Sequence, residues 1–284
     1  MKVVCYYCER GPLAGEMGAS TASSANRRAR HIAQGFAEGM RRHGVEAVVS
    51  NRFDGVAGDL AVAYGWIHEP IFEAYRRAGG HYVYWDLGYW GRRPTISPVE
   101  GYHRMALDAW DTLTYMRQGM PADRWDALNI GVSVNQRRGS DVIVAGMSDK
   151  AAGTHGFAPG RWEEWAESYV RELVPDANVV MRAKPNKRAR AVRPIEQALE
   201  TAKLIVTHHS NVALDAIVAG VPVFCRKGIG RLASPEVLTA DYIRDPVQPV
   251  YSVRRQILYD AAYQQWTPAE MRDGRAWDFI REML

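Results

Sequence analysis

Short apolar runs alternate along this chain with stretches whose apolar positions recur at helical spacing, and glycine-bearing turns separate them. Lys2 to Tyr7 is rich in β-branched and aromatic residues and reads as a buried strand entering a wide loop, Glu9 to Gly18. Ala29, Ile32, Phe36 and Met40 fall on one face of a helix from about Ser24 to His43, which Gly44 stops. Further strands are expected at Glu46 to Asn51, Leu60 to Tyr64 and His81 to Asp86, with a helix at Glu69 to Ala78 closed by Gly79 and Gly80. Strands alternating with helices through short turns imply a parallel sheet covered by helices, an α/β arrangement rather than a sandwich or barrel.

Thr95 to Gln136 scatters Trp110, Tyr115 and Trp125 among polar residues and predicts only partial helix. The polar run Asn135 to Ser140 precedes a new apolar strand, Val142 to Gly146, so the domains are expected to be 1–138 and 139–284. A second series follows: helix at Arg161 to Leu173, strand at Asn178 to Arg182, helix at Pro194 to Ala202, strand at Leu204 to Thr207, helix at Val212 to Ala219, strand at Val223 to Phe224. Helical segments near Val253 to Gln264 and Pro268 to Leu284 follow, the last of them expected to pack back on the first domain.

Composition changes this picture little. With 284 residues, 47% hydrophobic and 24% charged, the chain matches an ordinary globular protein. No apolar run approaches the roughly 18 residues that cross a membrane, and the N-terminus lacks a signal-peptide pattern, so a cytoplasmic protein without membrane contact is expected. Cys5, Cys8 and Cys225 cannot all pair, and no second Cys/His pair has ligand spacing, so no metal centre is expected. The net charge of +4 permits a polyanionic partner, with basic clusters at Arg27 to Arg30, Arg41-Arg42, Arg92-Arg93 and Lys184 to Arg193.

The candidate chemistry lies between Lys203 and Phe224, which reads strand, polar turn, helix, glycine, strand. Ser210 or Asn211 is a good N-cap, and the helix N–H groups beyond it form an anion site that suits a diphosphate. Asp215, one turn further, can accept both hydroxyls of a ribose. The competing reading makes Ser210 a plain cap and Asp215 a solvated carboxylate. Arg182 and Lys184 end a strand on the side where open α/β sheets place ligands. Gly146, Ser148 and Lys150 follow the second domain's first strand and are candidates for phosphate contact. His208 and His209 flank the turn; His209 is assigned to the nucleotide, with at least one of the pair serving packing.

Asp215 to Val223, Asp-Ala-Ile-Val-Ala-Gly-Val-Pro-Val, resembles the Glu-Ala-x-x-x-Gly-x-Pro-Val segment of glycosyltransferases with the GT-B fold. Thr207 to Asn211 is similar to the Ser/Asn turn of their polysaccharide-associated members. Here Asp215 replaces the commoner Glu, which shortens its reach by one methylene. The Cys8-Glu9-Arg10-Gly11 loop and the Asp86 to Arg92 segment also resemble short bacteriophage proteins described as glycosyltransferases.

These resemblances imply a minimal GT-B fold, two Rossmann-like domains facing each other across a cleft. They imply a nucleoside diphosphate sugar donor, a UDP-sugar first, no cofactor, and Arg182 and Lys184 neutralising the leaving diphosphate in place of a metal. The phage likeness makes a hydroxymethylated pyrimidine in double-stranded DNA the preferred acceptor, with the host cytoplasm as location. The base that deprotonates the acceptor should lie on the first domain, Asp86 as first choice and Glu9 as the alternative. Tyr89 and Trp90, with Arg92 and Arg93, suit a platform on which bases stack while arginines hold phosphates, against a plain core role for the rings. A glycan transferase or a nucleotide-sugar epimerase of the same fold stays open, as does a nucleotide-binding module without catalysis.

Overall fold

In the computed structural model, which describes residues 1–7, 24–91, 100–184 and 194–284, the alternating pattern folds into two α/β units. The first comprises Met1–Arg117 together with Ala261–Leu284, the second Gln118–Asp260. In chain order the first unit begins β1 (Lys2–Tyr6), α1 (Ser24–Arg42), β2 (Glu46–Ser50), β3 (Leu60–Tyr64), α2 (Glu69–Arg77), β4 (His81–Leu87) and β5 (His103–Leu107). The second unit runs through α3 (Asp123–Asp126), β6 (Asp141–Ala145), α4 (Asp149–Thr154), α5 (Arg161–Leu173) and β7 (Asn178–Arg182). It continues with α6 (Ile195–Thr201), β8 (Ala202–Thr207), α7 (Val212–Ala219), β9 (Val223–Cys225), α8 (Ala240–Arg244) and α9 (Tyr251–Tyr263). β10 (Gln265–Trp266), α10 (Pro268–Asp273) and α11 (Arg275–Arg281) then complete the first unit.

The first sheet has the order β10-β5-β4-β3-β1-β2, with β2, β1, β3 and β4 parallel. β5 and β10 were not expected and add an antiparallel edge. Every residue of β3 is buried, as a strand covered on both faces requires. One layer is sealed by α1, where Phe36 meets Trp85 and Trp277 edge to face at 5.5 and 6.2 Å. α1 and α10 approach so closely that a Cβ on Gly39 would overlap the Met271 carbonyl oxygen. On the other layer Phe72 of α2 stacks on Tyr82 at 4.6 Å.

The second sheet has the order β7-β6-β8-β9 and is wholly parallel. Trp162, Ala166 and Val170 of α5 cover one face with Val142, Val144, Leu204 and Val206, while Ala198, Leu199 and Ala216 cover the other. Both units are therefore Rossmann-like.

The division between the units falls at 117/118, ahead of the expected 138/139, because the segment in between bonds to the second unit. Ser133 N–H donates to the Val218 carbonyl at 2.8 Å and Arg137 N–H to that of Gly220 at 2.7 Å. The buried Arg254 guanidinium donates to the carbonyls of Val134, Ile217 and Pro249. Gly220 ends α7 with φ 78, and a Cβ there would overlap the Asn135 carbonyl oxygen, so only glycine fits. No helix among the described residues is long and apolar enough to cross a membrane.

His103 of β5 is buried beside the Tyr64 ring, 5.8 Å away edge to face. Burial, then the charge of Arg28, lowers its pKa from 6.5 to about 4, against a smaller opposing pull from Asp86. The unfolded chain takes up this proton below about pH 6.5 and the folded one does not, so stability present at neutral pH is lost as pH falls toward 4. Urea unfolding from pH 7.5 to 4.5 should therefore cost the native chain up to about 2.5 kcal/mol more than His103→Phe. Equal losses in both would show that His103 is protonated in the fold.

Candidate functional site

In an open parallel sheet, ligands gather beyond the carboxyl ends of the strands, where the strand order reverses. In the second sheet that point lies between β6 and β8. The turn after β8, Thr207 to Asn211, is built from its own hydroxyls. Thr207 Oγ1 donates to the Ala145 carbonyl at 3.3 Å, tying the β8 end to the β6 end, and accepts from Ser210 N–H at 3.3 Å. Ser210 Oγ in turn accepts from Val212 N–H at 3.3 Å, and its carbonyl accepts from Ala213 N–H at 3.0 Å. Ser210 thus does the capping; Asn211 already has helical geometry and makes no side-chain cap bond. The two of these bonds that Ser210 N–H and Val212 N–H donate are long, at 3.3 Å, and an anion that accepts better can replace them.

Arg182 leaves the end of β7 half-buried. Burial lowers its pKa, and the charges of Asp215, in the first turn of α7, and of Glu196 oppose this. Lys184 is exposed two residues further on. Arg226 and Lys227 join them from the end of β9. Arg226 N–H donates to the Thr207 carbonyl at 3.1 Å and Lys227 N–H to that of His208 at 2.6 Å. The Arg226 guanidinium lies 5.2 Å over the Trp165 ring.

The turn after β6 departs from expectation. Gly146 N–H donates to the Arg182 carbonyl, Met147 N–H to Glu163 Oε1 at 2.9 Å, and Ser148 Oγ caps α4 by accepting from Ala151 N–H. The Gly146 N–H is thus used within the sheet, and a carboxylate holds the Met147 N–H beside it. The side chain of Lys150 lies outside the described residues.

His208 and His209 meet His155, which caps the end of α4. Ring centroids are 4.7 Å apart for His155 and His208, 4.6 Å for His155 and His209, and 5.1 Å for His208 and His209. His208 is 3% exposed, against Phe157 and Trp162 at 5.5 and 5.1 Å. Burial, then the charges of His155, Lys227 and Arg226, lowers its pKa to about 3, which leaves it neutral at physiological pH. Among the described residues, these three are the group of metal-ligating side chains close enough to share an ion.

On the first unit, Asp86 lies near the end of β4. Its carboxylate accepts from Tyr84 OH and from Leu87 N–H, each at 2.8 Å, and faces Arg104 at 3.4 Å. The Asp86 side chain keeps 37% exposure, which leaves room for an incoming hydroxyl. Arg104 is packed among the rings of Tyr84, Tyr89 and Trp110. Burial works against its charge, but Tyr84, Tyr89 and Asp86 more than offset this and raise its pKa.

Tyr89 and Trp90 are 6% and 8% exposed, and both their N–H groups donate to Gln265 Oε1, at 2.8 and 3.1 Å. Tyr89 OH is also bonded to Thr112. Neither ring offers a face on which a base could stack, so the expected platform is core packing. Glu9, Arg92 and Arg93 lie outside the described residues.

No protein-family model matches this chain, and no curated protein sequence matches it. Among solved structures, the β-Kdo 2,4 transferase of Thermosulfurimonas dismutans KpsC is similar over 100% of this chain and 98% of its own, with TM-score 0.51 and 13% identity. The β-Kdo 2,7 transferase of the same KpsC is similar over 100% of both chains, with TM-score 0.48 and 9% identity. The first likeness is one of fold, and it places the chain with Rossmann-like architectures of the GT-B type.

The charge coupling between Arg182 and Asp215 is measurable without a ligand. In a double-mutant cycle of Arg182→Gln and Asp215→Asn, urea unfolding should give a coupling of about 1 kcal/mol. Strict additivity would mean that the two charges do not interact.

Proposed function

We propose that this chain transfers a sugar from a nucleotide-sugar donor, bound at the strand ends of the second unit, to a hydroxyl of a glycan. The observation that carries this reading is the convergence at the β6/β8 switch point. The Ser210-capped start of α7, Arg182 within the electrostatic reach of Asp215, and the cations at the end of β9 are all brought to one edge of a parallel sheet. The fold likeness to a β-Kdo 2,4 transferase supports it from a separate direction.

In this reading the phosphates take the turn from Ser210 and Asn211, with Arg182 and Lys184 beside them, and Asp215 takes the ribose. The acceptor hydroxyl gives its proton to the Asp86 carboxylate as its oxygen bonds to the anomeric carbon. The bond from that carbon to the phosphate oxygen breaks, and the electron pair leaves on the nucleotide. Helix N–H groups and cationic side chains stabilise that leaving charge, so no bridging Mg2+ or Mn2+ is needed. A glycan is favoured over DNA because the aromatic platform that suggested stacked bases is buried in the core.

The test is to incubate the protein with nucleotide sugars of each base, carrying one or two phosphates, and with oligosaccharides or hydroxymethylated DNA. Products are then weighed by mass spectrometry. Transfer to the oligosaccharide, unchanged by added Mg2+ or Mn2+, is expected; transfer to DNA alone would restore the DNA reading, and transfer to neither would remove the transferase reading. Asp86→Asn should lower turnover about 100-fold or more with nucleotide affinity unchanged. If Glu9→Gln does this and Asp86→Asn does not, Glu9 is the base. Ser210→Ala with Arg182→Ala should weaken nucleotide binding in calorimetry at least about tenfold; unchanged binding would move the donor elsewhere.

A further inference from the structure

We propose that His155, His208 and His209 form a three-histidine site for a borderline transition-metal ion, Zn2+ first. It adjoins the proposed donor turn at Ser210, and its all-nitrogen ligands set it apart from any Mg2+ or Mn2+ chemistry. One nitrogen from each of the three rings lies within 4.8 Å of those of the other two. The rings are mutually inclined by 50, 54 and 90°, so they do not stack as a column.

The backbone holds His155 and His208 in place. His155 N–H donates to the carbonyls of Ala151 and Ala152 at the end of α4. His208 is fixed on both sides, by the Thr207 bond to β6 and by Lys227 N–H on its own carbonyl. His208 lies against Phe157 and Trp162, and an apolar wall of this kind favours neutral imidazole, the form that coordinates a metal.

The donor set also selects the ion. Three imidazole nitrogens without a carboxylate suit zinc, copper, nickel or cobalt and reject magnesium and calcium, which want oxygen. Three protein ligands leave a fourth tetrahedral position open to water or an anion. The rearrangement required is small. His208 Nδ1 and His209 Nδ1 face each other at 2.8 Å, in a hydrogen bond that uses one proton. Two nitrogens on a tetrahedral zinc, each about 2.0–2.1 Å from the metal, stand about 3.3 Å apart. Shifting that proton to the other nitrogen of its own ring, which keeps both imidazoles neutral, and opening the pair by about 0.5 Å converts the contact into two ligand bonds. Arg226 and Lys227 oppose the ion's charge, but both are exposed and therefore screened, and Arg226 is held over Trp165.

The experiment uses the full chain, freed of metal by a chelator and then titrated with Zn2+ against a chromophoric competitor, with Co2+ as a spectroscopic substitute. One Zn2+ per chain, a rise in melting temperature with zinc, and the visible bands of four-coordinate Co2+ are expected. His155→Ala and His209→Ala should each weaken zinc at least about tenfold, whereas Cys8→Ser should leave it unchanged. Circular dichroism checks that each variant folds, and His155→Asn stands in if the alanine variant does not. No stoichiometric zinc, zinc undiminished in the histidine variants, or zinc lost in Cys8→Ser would overturn the proposal. Nucleotide is absent throughout, so the outcome is independent of the transferase reading.

Discussion

β8 is enclosed on both faces and flanked by β6 and β9, so the chain must leave its carboxyl end through a turn whose polar groups find partners in little space. Thr207 meets this constraint. Its hydroxyl bonds to β6 on one side and receives the following turn on the other, while its carbonyl receives Arg226 from the end of β9. Three strand ends are thereby joined through one residue. The start of α7, the histidine pair and the cations of the last strand all take their positions from that junction. A site assembled on strand ends held this way is more sharply defined than one hung on free loops.

Periodicity made most of the fold legible, and its failures have physical causes. β1, β3, β6 and β8 are nearly continuous apolar runs because helices cover both faces of their sheets. β5 carries His103 and Arg104, and β10 is only Gln265–Trp266. Neither has a pattern of its own, and each is a strand only because it pairs with residues far along the chain. α4 is too short and small-chained to show a helical stripe. The segment expected as one closing helix is two, since Gly274 has φ 97 and breaks it. The place of division between the units was hidden for a similar reason: residues 118–138 hold little regular structure, and hydrogen bonds to α7 and α9 decide where they belong.

The candidate site was legible to the extent that strand-end logic applies. It located the turn after β8, Arg182 and Asp215 together on one edge. It could not show which donors are already used: Glu163, from the first turn of α5, takes the Met147 N–H, between the Gly146 and Ser148 expected to contact a phosphate. His155 gave no signal either, because a lone histidine after a short helix has no spacing rule linking it to two others on a distant turn. The aromatics after β4 were ambiguous in principle, since a tryptophan beside a glycine suits a platform and a core equally well. Gln265, supplied by the far end of the chain, decides the matter by binding both backbone N–H groups.

Charge at the second sheet's edge follows from the same geometry. Arg182, Lys184, Arg226 and Lys227 stand at strand ends, while Asp215 and Glu196 are the carboxylates felt by Arg182. Glu163 is turned inward onto the Met147 N–H, so its charge has a local donor. The balance that remains outward is positive, and the start of α7 adds the partial positive charge of a helix N-terminus. Neutral His208 adds no charge of its own beside these groups. An anion arriving at this edge therefore meets cations whose carboxylate partners are too few to neutralise them, and hydrogen bonds at 3.3 Å that it can replace with shorter, charge-assisted ones. A neutral sugar gains neither effect. Under the proposed function such an edge would hold the donor by its phosphate and leave the attached sugar comparatively unrestrained, which is the division of labour that transfer of the sugar requires.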